Sequence, residues 1–159
     1  MKIELLCVGK LKESYLREAC KEYEKRLSRY CKLVITELPD EKTKEDASEA
    51  ENDKILKTEG ERILKHISEG AFVITLEIAG TELDSVELSQ KLAGLFVRGI
   101  SHLQFVIGGS LGLHNDVIKR SDLHLSFSKL TFPHQLMRVM LLEQLYRSFR
   151  IQSGEPYHK

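Results

Sequence analysis

No apolar run approaches the roughly 20 residues that a membrane-crossing helix requires. The opening Met1-Lys2-Ile3-Glu4-Leu5-Leu6 carries an acid inside a short apolar stretch and shows no signal-peptide cleavage pattern. A cytoplasmic protein is the expectation. Cysteine is scarce: Cys7, Cys20 and Cys31 are odd in number and form no Cys-x-x-Cys pair. A disulfide framework and a zinc knuckle are both excluded on that count, and no metal is expected. Each cysteine sits on an apolar segment, as a reduced, partly buried thiol does. Net charge is missing as well, with 24 bases against 24 acids, which argues against indiscriminate nucleic-acid binding. No repeat, low-complexity tract or long Gly/Pro linker divides the chain. One domain over residues 1–159 is expected.

The balanced charge is unevenly placed. Asp40 to Arg62 holds nine acids against five bases, whereas Lys10 to Lys32 holds eight bases against four acids. Segregation of this kind permits a modest basic surface on a neutral protein. Apolar periodicity then sets the elements. Lys2 to Val8 reads as a buried strand closed by Gly9. Tyr15, Ala19, Tyr23, Leu27 and Tyr30 recur at helical spacing within Leu11 to Tyr30. Cys31 to Leu38 reads as a strand ended by Pro39, and Thr43 to Asn52 as a charged loop leading into a helix. Ala71 to Ile78 is a β-branched run with the character of a central strand. Helix Ser85–Arg98, strand Leu103–Ile107, short helix His114–Arg120, strand Asp122–Ser126 and a long helix Phe132–Ile151 complete the series. Strands and helices alternate, so the class is α/β, a mainly parallel sheet flanked by helices.

The most informative stretch is the C-terminal third. Phe105-Val106-Ile107 breaks into Gly108-Gly109-Ser110-Leu111-Gly112, where backbone N–H groups lack Cβ shielding and a ligand can approach closely. Leu125-Ser126-Phe127 breaks into Ser128-Lys129-Leu130-Thr131 just before a helix that begins near Pro133. Two such loops suggest one site at the ends of two neighbouring strands, with Ser128 and Thr131 suited to capping the last helix. That helix places Leu136, Met137, Val139, Met140, Leu141, Leu142, Leu145, Tyr146 and Phe149 around nearly its whole circumference. It must be covered on several sides, by its own core or by another subunit. The end, Tyr157-His158-Lys159, combines an aromatic, an imidazole and a cation, which suits a splayed RNA base.

These residues resemble the SPOUT-class methyltransferases, specifically the ribosomal RNA large subunit methyltransferase H family. The likeness runs from Met1-Lys2-Ile3 through Val8-Gly9-Lys10-Leu11-Lys12 and Phe132-Pro133-His134-Gln135-Leu136-Met137-Arg138 to Tyr157-His158-Lys159. One departure is Leu111, where the family more usually carries a polar residue; backbone contacts from that loop are unaffected. The resemblance implies a C-terminal trefoil knot and a homodimer sealed by the knotted region. It implies transfer of a methyl group from S-adenosyl-L-methionine to nitrogen 3 of a pseudouridine in 23S ribosomal RNA, within assembled ribosomes.

By resemblance the cofactor lies on Leu76, Gly108 and the run Phe127, Ser128, Lys129, Leu130, Thr131 and Phe132. Tyr157, His158 and Lys159 are the catalytic candidates and His134 a further imidazole near the loops. Arg138 and Arg147 are the RNA-binding candidates: Arg138, one turn into the last helix, is placed to meet RNA phosphate or the cofactor carboxylate, with Arg147 facing the same groove. Two rival readings differ in kind. One is a nucleotide-binding module holding phosphate at the Gly108–Gly112 loop, weakened because no Lys-Ser/Thr pair follows the glycines. The other is a non-catalytic ribosome-binding factor.

Overall fold

In the computed structural model, which describes residues 1–159, ten elements alternate along the chain. They are β1 (Lys2–Val8), α1 (Ser14–Leu27), β2 (Lys32–Leu38), α2 (Glu49–His66), β3 (Phe72–Glu82), α3 (Ser85–Val97), β4 (His102–Ile107), α4 (Asn115–Arg120), β5 (Leu123–Ser126) and α5 (His134–Gln152). All strand pairs are parallel, in the order β2-β1-β4-β3-β5. Such a sheet is buried on both faces, and the run Ile3 to Val8 is buried at every position. Side chains alternate across it. Ile3, Leu5 and Cys7 join the larger core beneath α1, α3 and α5, while Leu6 and Val8 join Leu38, Ile63, Val73, Val106 and Val117 beneath α2 and α4.

Helix starts follow local chemistry. Ser48 accepts the Glu51 N–H to open α2, so the charged stretch becomes helical at Glu49, inside the expected loop. Asp84 and Glu87 close a capping box on α3. Helix α5 differs: Pro133 occupies its N-cap without any side-chain cap. Ser128 and Thr131 therefore do not cap it, contrary to expectation. Ser128 instead accepts the Leu130 N–H within its own turn, at 3.0 Å.

One expectation about the sheet needs correction. The glycine loop and the Phe127 loop do not follow neighbouring strands, because β3 lies between β4 and β5. β3 itself is an interior strand, as its β-branched run suggests, paired with β4 on one side and β5 on the other. A parallel crossover need not land beside the previous strand, and sequence proximity alone cannot order a sheet. The intervening strand matters, since it brings Leu76 between the two loops. The covering of α5 is also clearer. Leu141, Leu142, Leu145 and Phe149 are buried within the chain, against α1, α3 and the sheet. The residues still open in part are Leu136, Met137, Val139, Met140 and Tyr146.

Candidate functional site

The carboxyl ends of β4 and β5, with the middle of β3 where its pairing with β4 stops, surround a cavity of about 530 Å³. Open α/β sheets place ligands at such ends. Its floor is the break after β4. There Gly108 lies so close to the returning chain that a Cβ would fall 2.5 Å from the Gly112 carbonyl oxygen and 2.8 Å from its carbon. The loop folds back through the Gly112 N–H to the Gly109 carbonyl at 3.1 Å, with Gly112 at φ +86. That φ falls in the left-handed region that glycine adopts at no steric cost. A Cβ on Gly109 would sit 3.2 Å from Val8 and 3.4 Å from the Glu59 carboxylate. Glu59 accepts the Glu41 N–H at 3.0 Å, and burial pushes its carboxyl upward.

The second wall is the turn after β5. Ser126 Oγ lies 3.0 Å from the carbonyls of both Ile78 and Ser128, tying the turn to β3. Leu76, Gly108, Phe127, Ser128, Leu130, Thr131 and Phe132 all line the cavity; Lys129 does not. The first turn of α5 closes it with Pro133, His134 and Met137. His134 lies beside Gly9, its Nε2 3.6 Å from the point a Gly9 Cβ would occupy, with the Asp40 carboxyl carbon 3.9 Å from that point. Burial, aided by the Arg138 and Lys12 charges, outweighs the opposing pull of Asp40. The imidazole is held below its ordinary value and is neutral at pH 7.

Arg138 corrects the sequence reading. Its side chain is 4% exposed, donating from Nη1 to Glu37 at 2.8 Å and from Nη2 to the Gly9 carbonyl at 3.2 Å. α5 turns the guanidinium inward, where it ties β2 and the end of β1 to the helix instead of lying on the surface. Burial alone would raise Glu37, but the Arg138 bond and the Leu11 N–H outweigh it and hold the carboxyl below its ordinary range. Nor do Arg138 and Arg147 share a groove. Nine residues apart, they point about 180° from one another around the helix.

Arg147 belongs with the tail. It donates to Glu143 at 2.6 Å, stacks its guanidinium 4.7 Å over the Tyr157 ring, and lies 3.2 Å from His158 Nδ1. Tyr157 donates to Glu143 at 3.2 Å and meets the Tyr146 ring edge-on at 5.0 Å. Upstream, Glu155 is held by Arg150 and by Tyr30, the latter at 2.9 Å. The tail is therefore docked along the last turns of α5 rather than loose, although His158 and Lys159 remain exposed. Met137, on the cavity, and Glu143, under the tail, are six residues apart on α5, about 9 Å at 1.5 Å per residue, and Glu143 faces a different cavity. Within one chain the tail and the cavity are thus separate places. A second cavity, of about 560 Å³, opens between α1, α5 and the ends of β3 and β5, and Glu143 lines it together with Tyr23, Leu83 and Met140. Phe127 and Leu125 form the partition between the two cavities.

Sequence reasoning missed Glu77 and Ile78 on the first cavity wall and Glu143 under the tail. A signal for Glu77 existed: it is the one charged residue within the apolar run Ala71 to Ile78. The three thiols are as inert as their apolar settings suggest. Burial raises Cys7 to about 12 and Cys20 and Cys31 to about 11.

Comparison with known proteins agrees with this geometry. The family described as "Predicted SPOUT methyltransferase" matches residues 1–158. Proteins named "Ribosomal RNA large subunit methyltransferase H" from Bifidobacterium animalis subsp. lactis and Bifidobacterium adolescentis are 58% and 59% identical to this chain. One of the same name from Clostridium kluyveri is 54% identical. Each alignment spans 159 residues, covering 100% of both sequences. With the sheet, the glycine-floored cavity and these full-length matches in agreement, the chain belongs to the SPOUT methyltransferase family and to its ribosomal RNA large subunit methyltransferase H branch.

Proposed function

We propose that this protein is a cytoplasmic, homodimeric enzyme that methylates nitrogen 3 of a pseudouridine in 23S ribosomal RNA within assembled ribosomes. S-adenosyl-L-methionine is its methyl donor. The observation that carries the reading is the convergence of Leu76, Gly108 and the Phe127–Phe132 turn, three segments distant in sequence, on one cavity. Its volume of about 530 Å³ suits an adenosyl group, and its glycine floor is a cradle that any side chain would fill. Names of full-length relatives at 54–59% identity supply the substrate class.

When bound, the cofactor supplies an electrophilic methyl group on a sulfonium, so the protein need only orient the nucleophile and accept one proton. The backbone of the Gly108 loop and of the Phe127–Phe132 turn is suited to hold the adenine and ribose. Tyr157 is suited to stack on the target base, Lys159 and Arg147 to neutralise phosphate, and His158 to accept the imide proton. Glu143, which anchors Tyr157, lines the second cavity, and Leu125 and Phe127 stand between it and the first, so a chain's own tail lies outside its own cofactor cavity. The tail serves the partner's cavity across a dimer formed on the open side of α5, where Leu136, Val139 and Met140 remain partly uncovered.

The decisive experiment is transfer of tritiated methyl from S-adenosyl-L-methionine to ribosomes purified from a strain lacking this protein. Incorporation into 23S RNA at a pseudouridine, and little into protein-free RNA, is expected. Cofactor binding without incorporation into any RNA would instead identify a non-catalytic ribosome-binding factor.

A further inference from the structure

The β3–β5 ladder breaks where the cavity begins. Leu125 pairs first with Leu76 and then with Thr81, so residues 77–80 bulge out of the sheet between the two registers. Gly80 makes the bulge possible, since a Cβ there would lie 2.8 Å from the His124 carbonyl oxygen. Glu77, at the start of the bulge, lines the cavity with its side chain 16% exposed.

A carboxylate this enclosed needs partners, and it has them on one oxygen only. The Thr75 hydroxyl donates to Glu77 Oε2 at 2.5 Å, and His124 Nδ1 lies 2.5 Å from the same oxygen. Ser121 Oγ supports Thr75 from behind at 2.8 Å. Oε1 takes no hydrogen bond within the chain. Nothing in the docking of loops or helices uses this oxygen. It stands midway along β3, just past the last β3–β4 pair at Thr75 and Val106, between the glycine floor and the Phe127 turn, with its orientation fixed through its twin.

We propose that Glu77 is a ligand-binding residue of this cavity. In this assignment Oε1 accepts a hydrogen bond from a ribose hydroxyl of an adenosyl ligand, and His124 is a positioning residue that holds the carboxylate for it. Besides Glu77, the only titratable side chain lining the cavity is His134, which approaches from α5. A ribose offers paired hydroxyl donors, and an acid is a recurrent acceptor for them in α/β nucleotide sites. Facing a carboxylate oxygen, His124 is placed to donate from Nδ1, and its side chain is 44% exposed. The inference rests on the reading that this cavity takes an adenosyl cofactor.

Isothermal titration calorimetry on the full-length protein tests both, with S-adenosylhomocysteine and its 2′-deoxy and 3′-deoxy analogues as probes. Wild type should bind the ribo form at least tenfold more tightly than one of the deoxy forms. Glu77→Gln, an isosteric change, should weaken the ribo form to within about twofold of that deoxy form while leaving the deoxy form's affinity nearly unchanged. His124→Ala should lose most of the same discrimination. His124→Asn, whose amide nitrogen takes the place of Nδ1, should restore it. Equal weakening of all three ligands in Glu77→Gln would overturn the ribose assignment while leaving the adenosyl cavity standing. So would a wild-type protein indifferent to both hydroxyls, a measurement that needs no variant. Failure of wild type to bind S-adenosylhomocysteine at all would overturn this inference and the cofactor reading together.

Discussion

Replacing Arg138 with Met separates a structural arginine from an RNA-binding one. The wild-type guanidinium makes two hydrogen bonds, to Glu37 at 2.8 Å and to the Gly9 carbonyl at 3.2 Å. Bonds to a charged group contribute about 1.5–3 kcal/mol each, and removing one partner strands the other. Two features reduce the total. Glu37 is 36% exposed, so water recovers part of its lost partner, and the Nε of Arg138 is itself buried without a partner, a burden that Met removes. A net loss of about 2–3 kcal/mol remains once these offsets are applied. At this chain length each kcal/mol moves the midpoint by about 2–4 °C, so calorimetry at pH 7 should show a drop of about 4–12 °C. The deficit should shrink in acid. Glu37 is held below its ordinary 4.5 in the folded state, so its stabilisation is complete above that value. It is lost as pH falls through the lowered folded value. A midpoint within about 1 °C of wild type, with weakened ribosome binding, would refute the buried-tie account and return Arg138 to the RNA surface.

Three other outcomes follow from the same geometry. Gly108→Ala drives a Cβ to 2.5 Å from the Gly112 carbonyl, so the loop must open. Stability should fall by about 1–3 kcal/mol and S-adenosylhomocysteine affinity by more than tenfold, and unchanged binding in calorimetry would disprove the glycine floor. Deleting Tyr157, His158 and Lys159 should leave cofactor affinity intact but cut methylation at least tenfold, about 1.4 kcal/mol of transition-state stabilisation. Mixing that truncation with Gly108→Val subunits should restore activity in heterodimers, whereas no recovery would argue that each chain uses its own tail. His134 is depressed below 6.5 in the fold, so the unfolded chain binds more protons and stability rises with pH across that window. His134→Gln should flatten the denaturation profile as pH falls below 6.5, and an unchanged slope would show that the imidazole is not half-buried as described.

Much of the fold was legible in the chain because its signals are local. The buried strand Lys2–Val8, the Gly9 stop and the alternation of β and α elements follow from apolar period and from glycine's access to φ +94. Boundaries drifted by a residue or more at most helix ends. Leu11–Tyr30 shortened to Ser14–Leu27, and the last helix begins after Pro133 instead of at Phe132. Helix termini depend on which backbone groups find partners, and a periodic pattern does not record that.

By itself the sequence determined the α/β class, the two loops with the residue types a ligand needs, and a final helix too apolar to stand alone. Full-length similarity then tied those features to one family. Only the tertiary structure decided that β3 intervenes between the loops, which gives the cavity its third wall and admits Glu77. It also decided that Arg138 turns inward to Glu37 while Arg147 turns outward to the tail. These outcomes share a physical cause. Strand order, a bulge in a ladder and the facing of a long side chain are fixed by partners more than forty residues away, as with Gly80 against His124 or Arg138 against Gly9. No window of neighbouring residues carries that information.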